Sequence, residues 1–254
     1  MTAMLAVMLS MSGLFGATAR NSMDVYVVKG KLKGPTLMVI GGIHGDEPSG
    51  YKATELYKKV SISKGTLILV PNANAYALSK NKRYVGRDMN RLFADGVKYR
   101  GYELKAVKKL KELMRMSDMV INLHEGEGFF TKDPQKYGQS IVIDAQTASL
   151  KLFAEGAIKR LNAGLKDKNY HFGLNCQDTM DKTTKHPEQR GSATYYALYT
   201  VGIPAFGVEV SKDINDEATR IAIHCMTIKI FADQLGISFE KTGDNALPAC
   251  NINQ

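Results

Sequence analysis

Cysteine is scarce in this chain of 254 residues: Cys176, Cys225 and Cys250 are the three, and none stands in a CxxC pair. That spacing excludes a cysteine zinc site and a disulfide framework, leaving at most one bridge whose partners the sequence does not choose. Histidine is nearly as rare, with five residues, so imidazole chemistry is confined to His44, His124, His171, His186 and His224. No tract is low-complexity or repeated, which excludes solenoids and disordered arrays. No apolar run is long enough for a membrane span, so no stable membrane insertion of the mature chain is expected. Basic residues are nowhere interleaved with aromatics as in nucleic-acid readers, so no nucleic-acid partner is expected either.

What remains is a chain with 44% hydrophobic and 23% charged residues, enough to bury one sizeable core. The formal net charge is +9, with Lys and Arg numbering 34 against 25 Asp and Glu, which favours an anionic partner or substrate. Residues 1–20 differ from the rest. Met4 to Gly16 is uncharged and apolar, and Ala17-Thr18-Ala19 fits a small-residue cleavage site. The expected organisation is a signal sequence or its remnant over 1–20, a catalytic domain over 21–240 and a tail over 241–254, with export to the periplasm. A buried N-terminal helix, in a cytoplasmic protein, is the competing reading of the first segment.

Strand and helix patterns alternate along the chain. Val25–Val28, Thr36–Gly41, Thr66–Val70, Asp118–Leu123, Ser140–Asp144 and Gly202–Val210 have the apolar character of strands. Helical spacing predicts helices over Gly50–Val60, Gly101–Met116, Thr147–Ala163, Ser192–Thr200 and Asp213–Gly236. The expected fold class is α/β, a mixed, largely parallel twisted sheet with helices on both faces. Two stretches have no regular pattern: Asn72–Asp95, long for a structureless connection and so a functional loop, and Lys166–Gln189, which looks polar and irregular.

The chemistry gathers at strand ends. Gly41-Gly42-Ile43-His44-Gly45-Asp46-Glu47-Pro48 follows one apolar run, placing an imidazole and a carboxylate on a turn where α/β sheets collect ligands. A catalytic zinc site takes three protein ligands and leaves a position open. His44 and Glu47 supply two, and His124, at the end of another strand, is the third candidate, in competition with His171, His186 and His224. Lys82 to Arg91 packs Arg83, Arg87, Asn90 and Arg91 into ten residues, suited to bidentate capture of a carboxylate. Glu209 interrupts the apolar strand Ala205–Val210, and a carboxylate there must be paired, metal-bound or act as a general base.

In that order, His44-x-x-Glu47, Gly86-Arg87-Asp88-Met89-Asn90-Arg91, His124 and Glu209 resemble the zinc carboxypeptidase superfamily, which includes carboxypeptidase A-like enzymes and the succinylglutamate desuccinylase/aspartoacylase deacylases. The turn around His44 and the run His124-Glu125-Gly126-Glu127-Gly128-Phe129-Phe130 are most similar to the cell-shape-determining DL-carboxypeptidases of helical bacteria. Some of those carry glutamine at the first metal position, where this chain has His44. They also carry β-rich C-terminal domains for which this chain is too short.

The resemblance implies one zinc ion held by His44, Glu47 and His124. It implies that Arg83 polarises the scissile carbonyl, that Asn90 and Arg91 bind the substrate carboxylate, and that Glu209 is the catalytic base and proton donor. Asp88 becomes a partner for a metal-bound histidine. The tyrosine that closes over the substrate in carboxypeptidase A has only Tyr195, Tyr196 and Tyr199 as candidates. The implied activity removes a C-terminal residue, meso-diaminopimelate, from peptidoglycan stem tripeptides. The alternative is deacylation of a small acidic N-acyl amino acid. A peptidoglycan-binding pseudoenzyme is the third reading, opposed by the complete ligand set and base.

Overall fold

The structure is a computed structural model, and it describes residues 22–144 and 147–240. The signal-like segment over 1–20, the tail over 241–254 and Cys250 lie outside the described residues. An eight-stranded sheet forms the centre, with strand order β1-β3-β2-β4-β7-β5-β6 and β8 added to β3. The strands are β1 (Tyr26–Lys29), β2 (Leu32–Ile40), β3 (Ile62–Val70), β4 (Met119–Gly126), β5 (Ser140–Asp144), β6 (Gly173–Gln177), β7 (Ala205–Ser211) and β8 (Ser238–Phe239). β3, β2, β4 and β7 run parallel, β1 and β8 pair antiparallel with β3, and β5 pairs antiparallel with β7 and parallel with β6.

The helices are α1 (Pro48–Leu56), α2 (Ala75–Ser79), α3 (Tyr102–Met114), α4 (Ala148–Gly164), α5 (Ala193–Tyr195, running on as a π-helix over Tyr196–Val201) and α6 (Glu217–Leu235). Period-2 alternation sorts the sheet's apolar residues into two cores. Leu37, Val39, Ile121, Leu123, Phe206 and Val208 pack with Ala53 of α1, Ala157 of α4 and Phe231 of α6. Met38, Ile40, Val120 and Ala205 pack on the other face with Val107 and Leu110 of α3 and Ala193 of α5. β4, at the centre, is buried along its whole length.

Two segments are more regular than their sequence suggests. The polar stretch Lys166–Gln189 contains β6, whose one strand partner among the described residues is β5, at the sheet edge, and which so has no need of an apolar pattern. The Asn72–Asp95 loop contains α2, capped by the Asn74 side chain, and a 3-10 turn over Met89–Arg91 capped by Asp88. It folds back on the His44 turn: Gly45 N donates to the carbonyls of Lys82 and Arg83 at 3.1 and 3.3 Å.

From β2 the chain moves outward through α1 to β3, then returns to place β4 on the other side of β2. The direction of winding therefore reverses between β2 and β4. A crevice opens there at the carboxyl ends of the strands, where α/β sheets bind ligands.

Candidate active site

β2 ends at Ile40, and the turn that follows is compressed. Gly42 has φ +61, and a Cβ on Gly45 would stand 2.1 Å from the Ala77 carbonyl carbon. The turn delivers His44 into the crevice and reaches α1 at Pro48, which suits the first helical position. Glu47 is the N-cap residue of α1, yet its side chain makes no capping bond. Its carboxylate turns to the histidines instead.

His44 Nδ1 lies 2.9 Å from Glu47 Oε1, and His124 Nδ1 lies 2.9 Å from Glu47 Oε2. The two Nδ1 atoms are 3.2 Å apart. All three side chains are buried. Two ring nitrogens so close cannot both carry a proton without repulsion, whereas a shared cation would let both present lone pairs. Among the described residues this is the cluster whose ligand atoms, within 4.8 Å of one another, could hold a metal ion. Two imidazoles and one carboxylate make three protein ligands, as in open catalytic metal sites.

The electrostatics support the same grouping. Burial lowers the His44 pKa, but Glu47 and Asp88 outweigh it and raise it to about 9. Burial would raise Glu47, yet the two histidines hold it well below the usual carboxylate range. Burial keeps His124 below its ordinary value despite Glu47.

The Arg83–Arg91 loop closes one side. Arg83 Nη1 donates to Glu47 Oε1 at 3.1 Å and Nη2 to Asp88 Oδ2 at 3.3 Å. Asp88 Oδ1 is 3.2 Å from His44 Nε2 and also accepts from Asn90 N at 2.9 Å. Against the cost of its burial, His44, Arg83 and Arg91 hold the Asp88 carboxyl well below its usual range. Asn90 Oδ1 accepts from Ala193 N at 3.0 Å, and Arg91 Nη1 donates to Asn90 O at 2.8 Å. Arg83, Asn90, Arg91 and the three cluster residues all line one cleft of about 470 Å³.

Glu209 lines it too, on β7 directly across the ladder from His124. Burial, then the Glu47 carboxylate, pushes its pKa up to about 8. Placed next to the cluster and titrating near neutrality, it can move a proton in either direction.

The other histidines stay out of the cluster. His171 Nε2 lies 3.1 Å from the Leu165 carbonyl, His186 faces Glu188 at 3.4 Å on the cleft wall, and His224 is fully buried in α6. None of Tyr195, Tyr196 and Tyr199 lines the cleft, and Tyr196 is buried against α3. Tyr137 lines it instead, its hydroxyl accepting from Gln177 Nε2 at 3.1 Å. Arg87 lies outside the cleft lining, over the Tyr99 ring at 5.7 Å. Of the cysteines, Cys176 is exposed and Cys225 buried.

Sequence reasoning gave no role to Glu125. On the opposite face of β4 it accepts from Ser49 N at 2.7 Å, taking an otherwise orphan N–H in the first turn of α1. Its second oxygen is 3.1 Å from Arg220 Nε of α6. Asn122 and Asp144, also lining the cleft, were passed over although each breaks an apolar strand as Glu209 does.

No curated protein matches the chain. Among solved structures, tripeptide-bound cell shape determinant Csd4 of Helicobacter pylori is 27% identical with a TM-score of 0.79, covering 89% of this chain and 58% of its own. The mDAP-bound form of Helicobacter pylori Csd4, a D,L-carboxypeptidase, is 29% identical with a TM-score of 0.74, over 85% of this chain and 54% of its own. The succinylglutamate desuccinylase/aspartoacylase of Rhodobacter sphaeroides shares the fold, at 20% identity and a TM-score of 0.59, over 85% of this chain and 60% of its own. The chain thus spans somewhat more than half the length of these structures. The family described as carboxypeptidase controlling helical cell shape, catalytic, matches residues 5–249, and the chain belongs to that family.

Proposed function

We propose that residues 21–240 form the catalytic domain of a zinc-dependent carboxypeptidase that removes meso-diaminopimelate from the end of peptidoglycan stem tripeptides. The observation that carries this reading is the meeting, in one cleft, of the His44–Glu47–His124 donor set with Glu209 and the arginine loop. Family membership supports it, as do the tripeptide and mDAP bound by Csd4.

His44, Glu47 and His124 would hold zinc, a Lewis acid that activates water and polarises a carbonyl. Arg91 donates one N–H to Asn90 O, and the rest of its guanidinium, with the Nδ2 of Asn90, binds the terminal carboxylate, which restricts cleavage to the last residue. Arg83 uses two N–H groups on Glu47 and Asp88. A guanidinium has five, so the remainder can stabilise negative charge developing on the scissile oxygen. Glu209 takes the proton of the attacking water and passes it to the leaving amine as the C–N bond breaks.

Peptidoglycan is an anionic polymer outside the cytoplasm. The basic net charge supports an anionic substrate of that kind, and the signal-like Met4–Gly16 segment supports export to the periplasm. Among the described residues, no helix is long and apolar enough to cross a membrane.

Mass spectrometry of muropeptides incubated with the zinc-loaded protein tests the reading. Tripeptide stems should lose diaminopimelate with the intact protein and not with Glu209→Gln. Untouched muropeptides together with rapid hydrolysis of N-acyl aspartate or glutamate would overturn it in favour of a deacylase.

A further inference from the structure

The cleft has a second compartment, built from alternate residues of three strands. In register, His124 pairs with Glu209 and Asn122 with Gly207. From β5, Ser140 pairs with Glu209 and Val142 with Gly207. Side chains alternate across a strand, so Asn122, Gly207, Val142 and Asp144 share the face that bears His124 and Glu209, and all four line the cleft. Their neighbours Leu123, Val208, Ile141 and Ile143 point into the opposite core.

Gly207 keeps this floor open, since a Cβ there would stand 3.2 Å from Val142 Cβ. The floor offers acceptors. Asn122 is 1% exposed and its Oδ1 has no hydrogen-bond partner. Asp144 is 8% exposed, and its Oδ1 accepts from Thr179 N at 2.9 Å while its Oδ2 accepts from the Thr179 hydroxyl. Thr179 fixes the carboxylate without neutralising it, and among the described residues Asp144 has no ion-pair partner. Arg190, beside it, donates Nε to Thr179 O and Nη2 to Asp181 O. A fixed carboxylate with spare lone pairs, whose neighbouring cation Arg190 directs its hydrogen bonds to backbone carbonyls instead, is a receptor for a second cation.

Position decides which cation. Asp144 lies four residues beyond Ser140, on the order of 13 Å along the strand from the level of Glu209 at about 3.3 Å per residue. A short side chain on the terminal residue stays far from that level, whereas one of lysine's length, about 6 Å from Cα to its end, extends furthest along the floor toward it.

Resting on the carboxypeptidase reading, we propose that Asp144 is a specificity residue. It receives the ammonium at the far end of the terminal residue's side chain, with Asn122 as a further acceptor along the floor, and selects a diamino acid for release. Lysine and meso-diaminopimelate both carry that ammonium. Norleucine, of lysine's length with a methyl in its place, does not.

The test compares kcat/KM for stem tripeptides ending in meso-diaminopimelate, lysine and norleucine. A charge-assisted hydrogen bond predicts that the wild type favours lysine over norleucine by about tenfold or more. Asp144→Asn keeps an acceptor for Thr179 N and should bring the two peptides within about threefold of each other. A wild type that treats them alike, or an Asn variant that keeps the full preference, overturns the proposal. Calorimetry of free lysine and norleucine with the zinc-loaded wild type needs neither turnover nor a folded variant, and equal affinities there also overturn it. If lysine binds more tightly while no peptide is cleaved, the pocket stands and the carboxypeptidase reading falls.

Discussion

Asp88 Oδ1 lies 3.2 Å from His44 Nε2, on the side of the ring opposite the Nδ1 that faces Glu47. A carboxylate behind a metal-ligating imidazole fixes its tautomer, keeping the other nitrogen's lone pair toward the ion. Loss of such a partner costs about 10–100-fold in metal affinity. Asp88→Ala is therefore expected to weaken zinc binding by that factor in a chelator competition. Unchanged affinity would show that the turn alone positions His44.

In the proposed zinc site, protons and metal would compete for the same nitrogen. In the metal-free chain His44 is raised to about 9, so it is protonated at neutral pH and must release that proton on binding. Zinc affinity should rise by about tenfold per pH unit up to that value, with proton release visible as a buffer-dependent enthalpy. The stability of the metal-free chain should move oppositely. His44 and Glu209 have folded pKa values raised to about 9 and about 8, so the proton each retains stabilises the folded state only below those values. His124 and His224 have lowered values and are neutral, folded or unfolded, above pH 7. The metal-free Tm should thus fall between pH 7 and 9. A flat or rising Tm in that window contradicts this assignment.

The cluster was legible because each member marks a place where a sequence pattern breaks. His44 and Glu47 follow the apolar run of β2 between glycines, His124 comes late in β4, and Glu209 puts a charge inside β7. The parallel core strands were legible for the related reason that strands buried on both faces must be apolar. β6 was not, because an edge strand with one neighbour tolerates Asn175 and Gln177. Nor was the pairing of Glu125 with Arg220, whose partners are brought together by the packing of α6 on α1 and on the neighbouring strands β2 and β7. No local pattern encodes a contact across 95 residues, the interval from 125 to 220.

Glu209 and Arg91 should separate chemistry from binding. Glu209 touches no member of the donor set through a hydrogen bond, so Glu209→Gln is expected to bind zinc and substrate while kcat falls by about 10²–10⁴-fold, the usual range for a lost general acid–base. On the proposed reading Arg91→Met would remove a carboxylate contact made before and during reaction, and is expected mainly to raise KM, by about tenfold or more. If Glu209→Gln retains near-normal kcat, the proton moves through another group, and Tyr137 is the next candidate on the cleft wall.

Glu125 carries a separate load. It is 5% exposed, caps the first turn of α1 through Ser49 N and faces the Arg220 guanidinium, so it joins β4, α1 and α6 directly behind the donor set. Removing one partner of a buried ion pair leaves the other charge uncompensated, at about 3–5 kcal/mol. Glu125→Ala also returns an orphan N–H to the helix terminus. Urea unfolding should show a loss of that size, while zinc stoichiometry in the folded fraction stays at one, because the contact to Glu47 Oε2 comes from the Glu125 backbone N–H at 3.2 Å and survives the substitution. Stability unchanged to within about 1 kcal/mol would show that Arg220 finds water or another acceptor, and that the pair is replaceable as many ion pairs are. Lost zinc binding with stability intact would instead place Glu125 in the metal site's own support.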